Sequence, residues 1–264
     1  AFQSILPPLS RNEALTVTAI HSLAGIANEA LTTRPPFRAP HHTASHTALV
    51  GGGSNPKPGE VTLAHHGVLF ADELPEFERR AIDAMRQPLE DRVVSISRVQ
   101  GNVTFPADFI LMAAMNPYRG TEDGTTDYAA AMTETYKHKI SGPILDRIDL
   151  WVPVPHVNYD TMHAVQTTDE ETVSAREQIL RARARMQSRT GCPNSNLSAR
   201  LIDEKIILAD EIKELLKTSS DRLNLSPRSY HRVIKVARTI ADLVDREDII
   251  AADVLEALQF RAQL

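Results

Sequence analysis

The sequence predicts an α/β fold built on a parallel sheet, followed by a small all-helical region. Two short apolar runs, "VLFA" at 68–71 and "FILMAAM" at 109–115, show no polar alternation, the pattern of strands covered on both faces. Helical text and a hairpin lie between them, so strand, helix, hairpin and strand arrive in the order of a layered α/β sheet. From Glu170 onward the text is almost entirely helical.

Taken in order, residues 1–33 read as helical, with Ser10 as N-cap and Glu13 completing a capping box ahead of Leu15, Ala19 and Ile20. The stretch "RPPFRAPHHTASHTALVGGGSNPKPGE" breaks every periodicity with Pro and Gly and reads as a long loop with room for a short helix or strands. Loops of that length inside compact domains are usually functional. After the 68–71 strand, "EFERRAIDAMRQPLEDR" is helical, with Phe77, Ala81, Ile82 and Met85 at helical spacing. Residues 93–105 read as a hairpin turning near Gly101 and Asn102, and "FILMAAMNP" as a second buried strand ending at Asn116 and Pro117. A linker is expected at 152–168. Beyond it, 171–191 is a helix stopped by Gly191 and Pro193, and 201–220 is a second. A third begins with Ser226 as cap and Pro227 at the first helical position, its apolar stripe being Val233, Val236, Ala237, Ile240 and Val244. The last runs over 249–263.

With 264 residues and 42 % hydrophobic content, the chain can bury the cores of two domains. It has no apolar run of eighteen residues and no charged segment leading into an apolar one at its start, so neither a membrane helix nor a signal peptide is expected. A single cysteine, Cys192, excludes an intrachain disulfide and a cysteine-built zinc site, which points to a reducing, cytoplasmic setting. The net charge of −5 does not advertise nucleic-acid binding, although a local basic surface is enough for it.

Five positions carry candidate chemistry. Asp72 and Glu73 follow a buried strand, at the sheet edge where open α/β folds bind ligands. There the first acid can hold magnesium through water and the second can orient or deprotonate an attacking water. The competing reading is that the pair only starts the next helix, where its dipole favours acids. Asn116 ends the second strand, where an amide can meet a γ-phosphate or the lytic water; otherwise it is a turn residue. Arg147, in "LDRIDL", suits an arginine finger reaching a neighbour's γ-phosphate, or an ion pair with Asp146 or Asp149. Arg228 sits in the first turn of a helix, where the dipole disfavours a cation, which suggests a phosphate contact.

The order strand–Asp–Glu, helix, hairpin, strand–Asn, Arg, helical region with Arg resembles the AAA+ ATPases. More specifically, "RPPFRAPHHTASHTALVGGGSNPKPGEVTLAHHGVLFADELPEF" and "LDRIDL" resemble the magnesium-chelatase-like ATPases of the ComM/YifB competence-protein group, over essentially the whole chain. The resemblance implies Asp72 and Glu73 as the Walker B pair, Asn116 as sensor 1, Arg147 as arginine finger and Arg228 as sensor 2, with ATP and Mg2+ as cofactors. It implies an α/β core over 1–151, carrying a helix-2 insert at 34–66 and a pre-sensor hairpin at 93–105, and a helical lid over 169–264. In the hexameric rings of such proteins those two elements face the pore and grip DNA. The DNA-contact candidates are then Arg34, Arg38, Lys57 and Arg98, and the implied activity is branch migration of DNA in recombination and natural transformation.

Two departures stand out. The phosphate loop GxxxxGK[ST] supplies the N–H cradle, a lysine and a magnesium-binding hydroxyl, yet the chain has no Gly-Lys dipeptide. "GGGSNPK" is not a substitute, since Lys57 is followed by Pro. The expectation is therefore a piece of a longer protein, without turnover by itself and with an open sheet edge prone to self-association. The segment after Asn116 also lacks the cysteines found there in many relatives. Two other readings compete: a protein-remodelling or chelatase-type ATPase, and a scaffold that does not hydrolyse ATP. His41, His42, His46, His65 and His66 fit no standard zinc spacing and are expected to pack the loop or meet DNA. Arginines 176, 181, 183, 185 and 189 are expected on a solvated helix face, and Tyr118 and Tyr128 are too isolated to argue for base stacking.

Overall fold

The computed structural model describes residues 2–27, 30–53, 56–98, 101–115, 140–154 and 169–261. Asn116, Tyr118 and Tyr128 lie outside the described residues. These fall into two compact units, Pro7–Arg147 and, together with residues 2–6, 148–261.

The first unit opens with α2 (Arg11–Ala24), which starts at the expected Ser10 cap; a separate short helix, α1 (Phe2–Ile5), precedes Pro7 and Pro8 in the chain, and the helical text expected over 1–33 ends at Ala24. Ser10 caps α2 with the reciprocal pair its sequence predicts: the Ser10 N–H donates to Glu13 Oε2 at 2.8 Å and the Glu13 N–H to Ser10 Oγ at 3.4 Å. Gly25, at φ 75°, turns the chain out of the helix.

A three-stranded parallel sheet forms the centre of this unit, in the order β1 (Phe37–Arg38), β4 (Val68–Ala71), β7 (Ile110–Ala113). The first of these is a correction. Residues 34–66 are not wholly an insert, because Phe37 and Arg38 pair with Val68 and Leu69 as a sheet strand. Between β1 and β4 lie α3 (His46–Val50), the small antiparallel pair β2 (Gly51–Gly52) and β3 (Lys57–Pro58), and α4 (Glu60–Leu63). After β4 come a 3-10 turn (Leu74–Glu76), α5 (Arg79–Ala84), α6 (Arg86–Asp91), and the antiparallel hairpin β5 (Val93–Arg98) and β6 (Gly101–Pro106). The hairpin is held to α6 by Gln87, whose side chain exchanges hydrogen bonds with Ser95. The last helix of the unit is α7 (Gly142–Leu145), whose preceding Ser141 hydroxyl donates to Asp83 at 2.6 Å.

The core contains Val68, Leu69, Leu74, Ile82 and Met85. The second expected buried strand, β7, is only half-buried, and Ile110 is 46 % exposed. Its apolar text is that of a central strand, but among the described residues it pairs on one side only, with β4.

The second unit contains α8 (Asp169–Thr190), α9 (Ala199–Lys205), α10 (Asp210–Leu223), α11 (Pro227–Leu243) and α12 (Ala251–Gln259). Its core gathers Leu197, Ile202, Leu216, Val233, Ala237 and Val254. The helix expected over 201–220 is divided. An extended Ile206 lets Ile206 and Leu208 both reach the core while Ile207 faces out at 88 % exposure, an alternation no helix permits. Helix α11 starts as its sequence dictates, with the Ser226 hydroxyl accepting from the Ser229 N–H and Pro227 in the first turn. Its buried face is Val233, Ile234, Ala237 and Ala241, whereas Val244 lies past the helix end and is exposed.

Residues 148–151 are bonded into this helical unit, which is why the division falls just after Arg147 and before the expected linker. Arg261 donates to the Ile148 carbonyl, Arg232 pairs with Asp149 at 2.6 Å, and the Trp151 N–H donates to the Phe260 carbonyl at 2.8 Å. Residues 2–6 join it through Arg176, which donates to the Ser4 carbonyl. The described residues thus form an α/β core with a parallel sheet and an all-helical C-terminal region. Among the described residues no helix is long and apolar enough to cross a membrane.

Two features of the first unit yield tests. A Cβ built on Gly67 would lie 2.0 Å from the Pro36 carbonyl oxygen, because β4 begins where Pro36 crosses it. Gly67→Ala is expected to separate β1 from β4 and lower stability by about 1–3 kcal/mol, read as a lower urea midpoint. His65 is buried, and its Nδ1 accepts the Asp108 N–H at 3.0 Å. Burial first, then the neighbouring His66, push its pKa down to about 4. The fold therefore holds neutral His65. Its contribution is complete above the ordinary histidine value near 6.5, is lost as pH falls, and levels off below about 4. Urea midpoints measured between pH 7 and pH 4 are expected to fall less in His65→Asn, which keeps an acceptor for the Asp108 N–H.

Candidate nucleotide site

Parallel strands end at one edge of their sheet, and the candidate acids stand at that edge. Asp72 directly follows Ala71, the last residue of β4, and is exposed. The Ala114 N–H donates to the Ala71 carbonyl at 3.0 Å and the Leu74 N–H to the Ala114 carbonyl at 3.1 Å. Asp72 and Glu73 are thereby held in a short loop clasped to the end of β7, two residues before Asn116. The helix-start reading of the pair fails on geometry, since Glu73 precedes a three-residue 3-10 turn and its side chain makes no capping hydrogen bond there.

Glu73 has left-handed backbone angles, φ 51° and ψ 47°. A non-glycine residue in that region is strained, and such strain concentrates at functional positions. Part of the cost is offset by the Glu73 N–H, which donates to Asp72 Oδ1 at 3.0 Å. The carboxylate itself approaches His42, whose Nδ1 is 3.3 Å from Glu73 Oε2.

The donor set at Asp72 fits a hard divalent cation held largely through water, an exposed carboxylate at a strand end. Magnesium in that position would neutralise phosphate charge. The remaining half of a nucleotide site, the phosphate cradle, has no counterpart in this sequence.

Arg147 is placed otherwise than expected. It is not presented at an edge but buried, with its guanidinium pairing with Glu90 at 2.7 Å and donating to the Pro143 carbonyl. Its partner is neither Asp146 nor Asp149. It lines an open cleft with Asp83, Arg86, Gln87, Glu90 and Asp91. Arg228 is exposed in the first turn of α11. It belongs to the helical unit, and the acids belong to the first unit.

The DNA-contact candidates divide. Arg34 is exposed, and so is Lys57 on β3. Arg38 lies on β1 and makes a bidentate pair with Glu60, at 2.6 and 2.8 Å, which raises its pKa further. Its guanidinium is engaged within its own unit. Arg98 belongs to β5 by its backbone. On α8, Arg185 and Arg189 turn to the wholly buried Asp242 carboxylate, at 3.7 and 2.6 Å, together with Arg238, so that helix is not a uniformly solvated basic face. Among the described residues no group of three or more His, Cys, Asp or Glu is placed to hold a metal ion.

Sequence reasoning missed His42, Glu60 and Glu90 as partners of Glu73, Arg38 and Arg147. None had a usable signal in the local sequence, although the sheet register accounts for the first. Phe37 pairs with Val68 and Arg38 with Leu69, and that parallel register carried four residues further sets His42 level with Glu73.

Comparison with known proteins gives a consistent picture. The model of "Magnesium chelatase, subunit ChlI" matches residues 1–162, and that of "Magnesium chelatase, subunit ChlI C-terminal" matches 169–261. The chain is 41 % identical over 268 residues to the competence protein ComM of Haemophilus influenzae, covering 98 % of this chain and 52 % of that protein. It is 42 % identical over 265 residues to the protein YifB of Escherichia coli, with coverage of 98 % and 52 %. A more distant similarity, 24 % over 251 residues, joins it to the archaeal Lon protease of Methanocaldococcus jannaschii, covering 92 % of this chain and 31 % of that protein. The chain thus spans about half the length of the ComM and YifB relatives it matches.

The backbone at position 73 gives a test of the strain. In a helix interior Gly is less stable than Ala, but in the left-handed region the order inverts. Glu73→Gly is expected to be more stable than Glu73→Ala by about 1 kcal/mol, measured as the difference in thermal or urea midpoint. Equal midpoints would show that the loop relaxes out of this conformation.

Proposed function

The chain belongs to the magnesium chelatase ChlI family, and from that premise we propose that it is part of an ATP-hydrolysing motor that acts on DNA. The observation that carries this reading is the Asp72–Glu73 loop at the carboxyl edge of the parallel sheet, clasped to the end of β7. In the proposed site Asp72 holds a magnesium ion through water, and Glu73 orients the attacking water and takes its proton. Phosphoryl transfer is chiefly a matter of such positioning and charge stabilisation. Asn116, Arg147 and Arg228 are proposed to contact the phosphates, and the phosphate loop is proposed to be supplied by sequence upstream of Ala1.

Arg147 would act on the nucleotide of a neighbouring subunit in a ring. Because it is buried against Glu90, that role requires the guanidinium to exchange a carboxylate for a phosphate, and both are bidentate acceptors. The DNA assignment draws on the name of the Haemophilus relative, a competence protein, and on the exposed cations Arg34 and Lys57. Branch migration is the activity proposed. A second reading, ATP-driven remodelling of protein, is favoured by one observation: Arg38 is committed to Glu60, which reduces the cations open to a DNA backbone.

The test is ATP hydrolysis by the full-length polypeptide, read upstream through a GxxxxGK[ST] motif, with and without branched DNA. Turnover stimulated by DNA and abolished in Glu73→Gln is the expected result. Turnover abolished in Glu73→Gln but indifferent to DNA shifts the assignment to protein remodelling, and turnover that survives Glu73→Gln overturns the site. The 264-residue chain by itself is expected to show no magnesium-dependent hydrolysis.

A further inference from the structure

Arg147 is stored rather than displayed. Its side chain is 6 % exposed, its Nη2 lies 2.7 Å from Glu90 Oε2, and its Nη1 donates to the Pro143 carbonyl. Both terminal nitrogens are thus engaged within the unit. Glu90 stands on a fixed support. On α6, Gln87 exchanges hydrogen bonds with Ser95 of the hairpin at 3.2 and 3.4 Å. At the end of the same helix Arg92 pairs with Asp108 at 3.2 Å, and its carbonyl accepts from the Ala107 N–H at 2.8 Å.

A phosphate does not reach the guanidinium where it lies. Among the described residues, the cleft that Arg147 lines carries three acids, Asp83, Glu90 and Asp91, against two arginines, Arg86 and Arg147. Asp83 is held there by the Ser141 hydroxyl at 2.6 Å. An anion brought against that wall meets like charges, which disfavours it. A carboxylate and a phosphate also claim the same fork of a guanidinium. Arg147 therefore meets a phosphate only by leaving Glu90. The pair is built for exchange, because Glu90, with 37 % side-chain exposure, is open to water on its own side. A fully buried pair would hold the arginine permanently, whereas a partly open one is weak enough to part.

We infer that Glu90 is a latch on Arg147: it keeps the guanidinium inside its own unit until the γ-phosphate of a neighbouring subunit's nucleotide displaces the carboxylate. This rests on the reading of Arg147 given under the proposed function. Glu90 touches no reacting atom. It sets the fraction of subunits whose Arg147 is released, and that fraction scales the apparent affinity for a nucleotide-loaded neighbour. An unassembled subunit keeps its arginine shielded.

Two measurements test it. In the full-length protein, Glu90→Gln keeps the size and one acceptor oxygen but removes the charge. At protein concentrations below those that saturate turnover, it is expected to raise ATP hydrolysis per subunit about threefold to tenfold. Arg147→Ala is expected to abolish turnover whether or not Glu90→Gln is added. Turnover unchanged or lowered in Glu90→Gln overturns the latch and, with Arg147→Ala inactive, leaves the finger reading intact. Turnover that survives Arg147→Ala overturns both. The second measurement needs no turnover: phenylglyoxal modification of the 264-residue chain, followed arginine by arginine by mass spectrometry. In the wild type Arg147 is expected to react far more slowly than exposed Arg34. In Glu90→Gln it is expected to react at least about fivefold faster, with Arg34 and Arg38 unchanged. Equal protection of Arg147 in both proteins overturns the inference. So does a rise that Arg38 shares, since Glu90 would then serve the fold rather than one guanidinium.

Discussion

The parallel register of β1, β4 and β7 is the constraint on which the candidate site depends. Val68 donates its N–H to the Pro36 carbonyl at 2.8 Å, Ile110 to that of Gly67 at 2.9 Å, and Ala114 to that of Ala71 at 3.0 Å. These bonds set where each strand ends. Because the strands run the same way, their exits collect at one edge: Ala39 to His42 after β1, Asp72 and Glu73 after β4, Ala114 and Met115 after β7. A slip of one residue would turn alternate side chains to the opposite face and separate His42 from Glu73. Gly67 makes the register possible, since any side chain there would occupy the space of the Pro36 carbonyl.

Much of this was legible in the sequence where the signal is local. "VLFA" runs directly into Asp-Glu, and it is β4. Ser10 with Glu13, and Ser226 with Pro227, mark helix starts because a cap is a contact between residues three apart. What stayed hidden has a common cause. Strand β1 has two residues in a run of prolines, too short for any periodicity to register. Arg38 with Glu60, Arg147 with Glu90 and Glu73 with His42 are partners between distant segments, and no local pattern encodes which carboxylate a cation will meet. The exposure of β7 was illegible for a related reason. Apolar text states what a strand could bury, while its neighbours decide what it does bury.

The charges follow the same logic. Near-neutral composition conceals a division between cations committed to structure and cations left at the surface. Arg38, Arg147, Arg185, Arg189 and Arg238 are engaged with carboxylates inside their own units, most completely around Asp242, whose side chain has no exposure. Removing water from such groups is costly unless they are paired, so burial and pairing come together. A cation count on the sequence therefore overstates the basic surface, and Arg38 shows the error. It is in the segment expected to face DNA, yet both of its hydrogen-bonding edges to Glu60 are made within the sheet unit.

Glu73 runs against this economy, and that is the stronger argument for its role. A residue serving only the fold would be expected to relax, with Gly or Asn at a left-handed position and a buried or capping side chain. Glu73 has a backbone that favours Gly, a side chain nearly half exposed, and a partner whose pairing adds little stability. Its immediate surroundings are by contrast well determined: Ala71 and Leu74 are buried, and both bond to Ala114 through the backbone. A strained, exposed carboxylate fixed between two rigid anchors is poorly explained by stability. It is well explained by a requirement to hold one oxygen at a defined point beyond the sheet edge, which is what orienting a water demands.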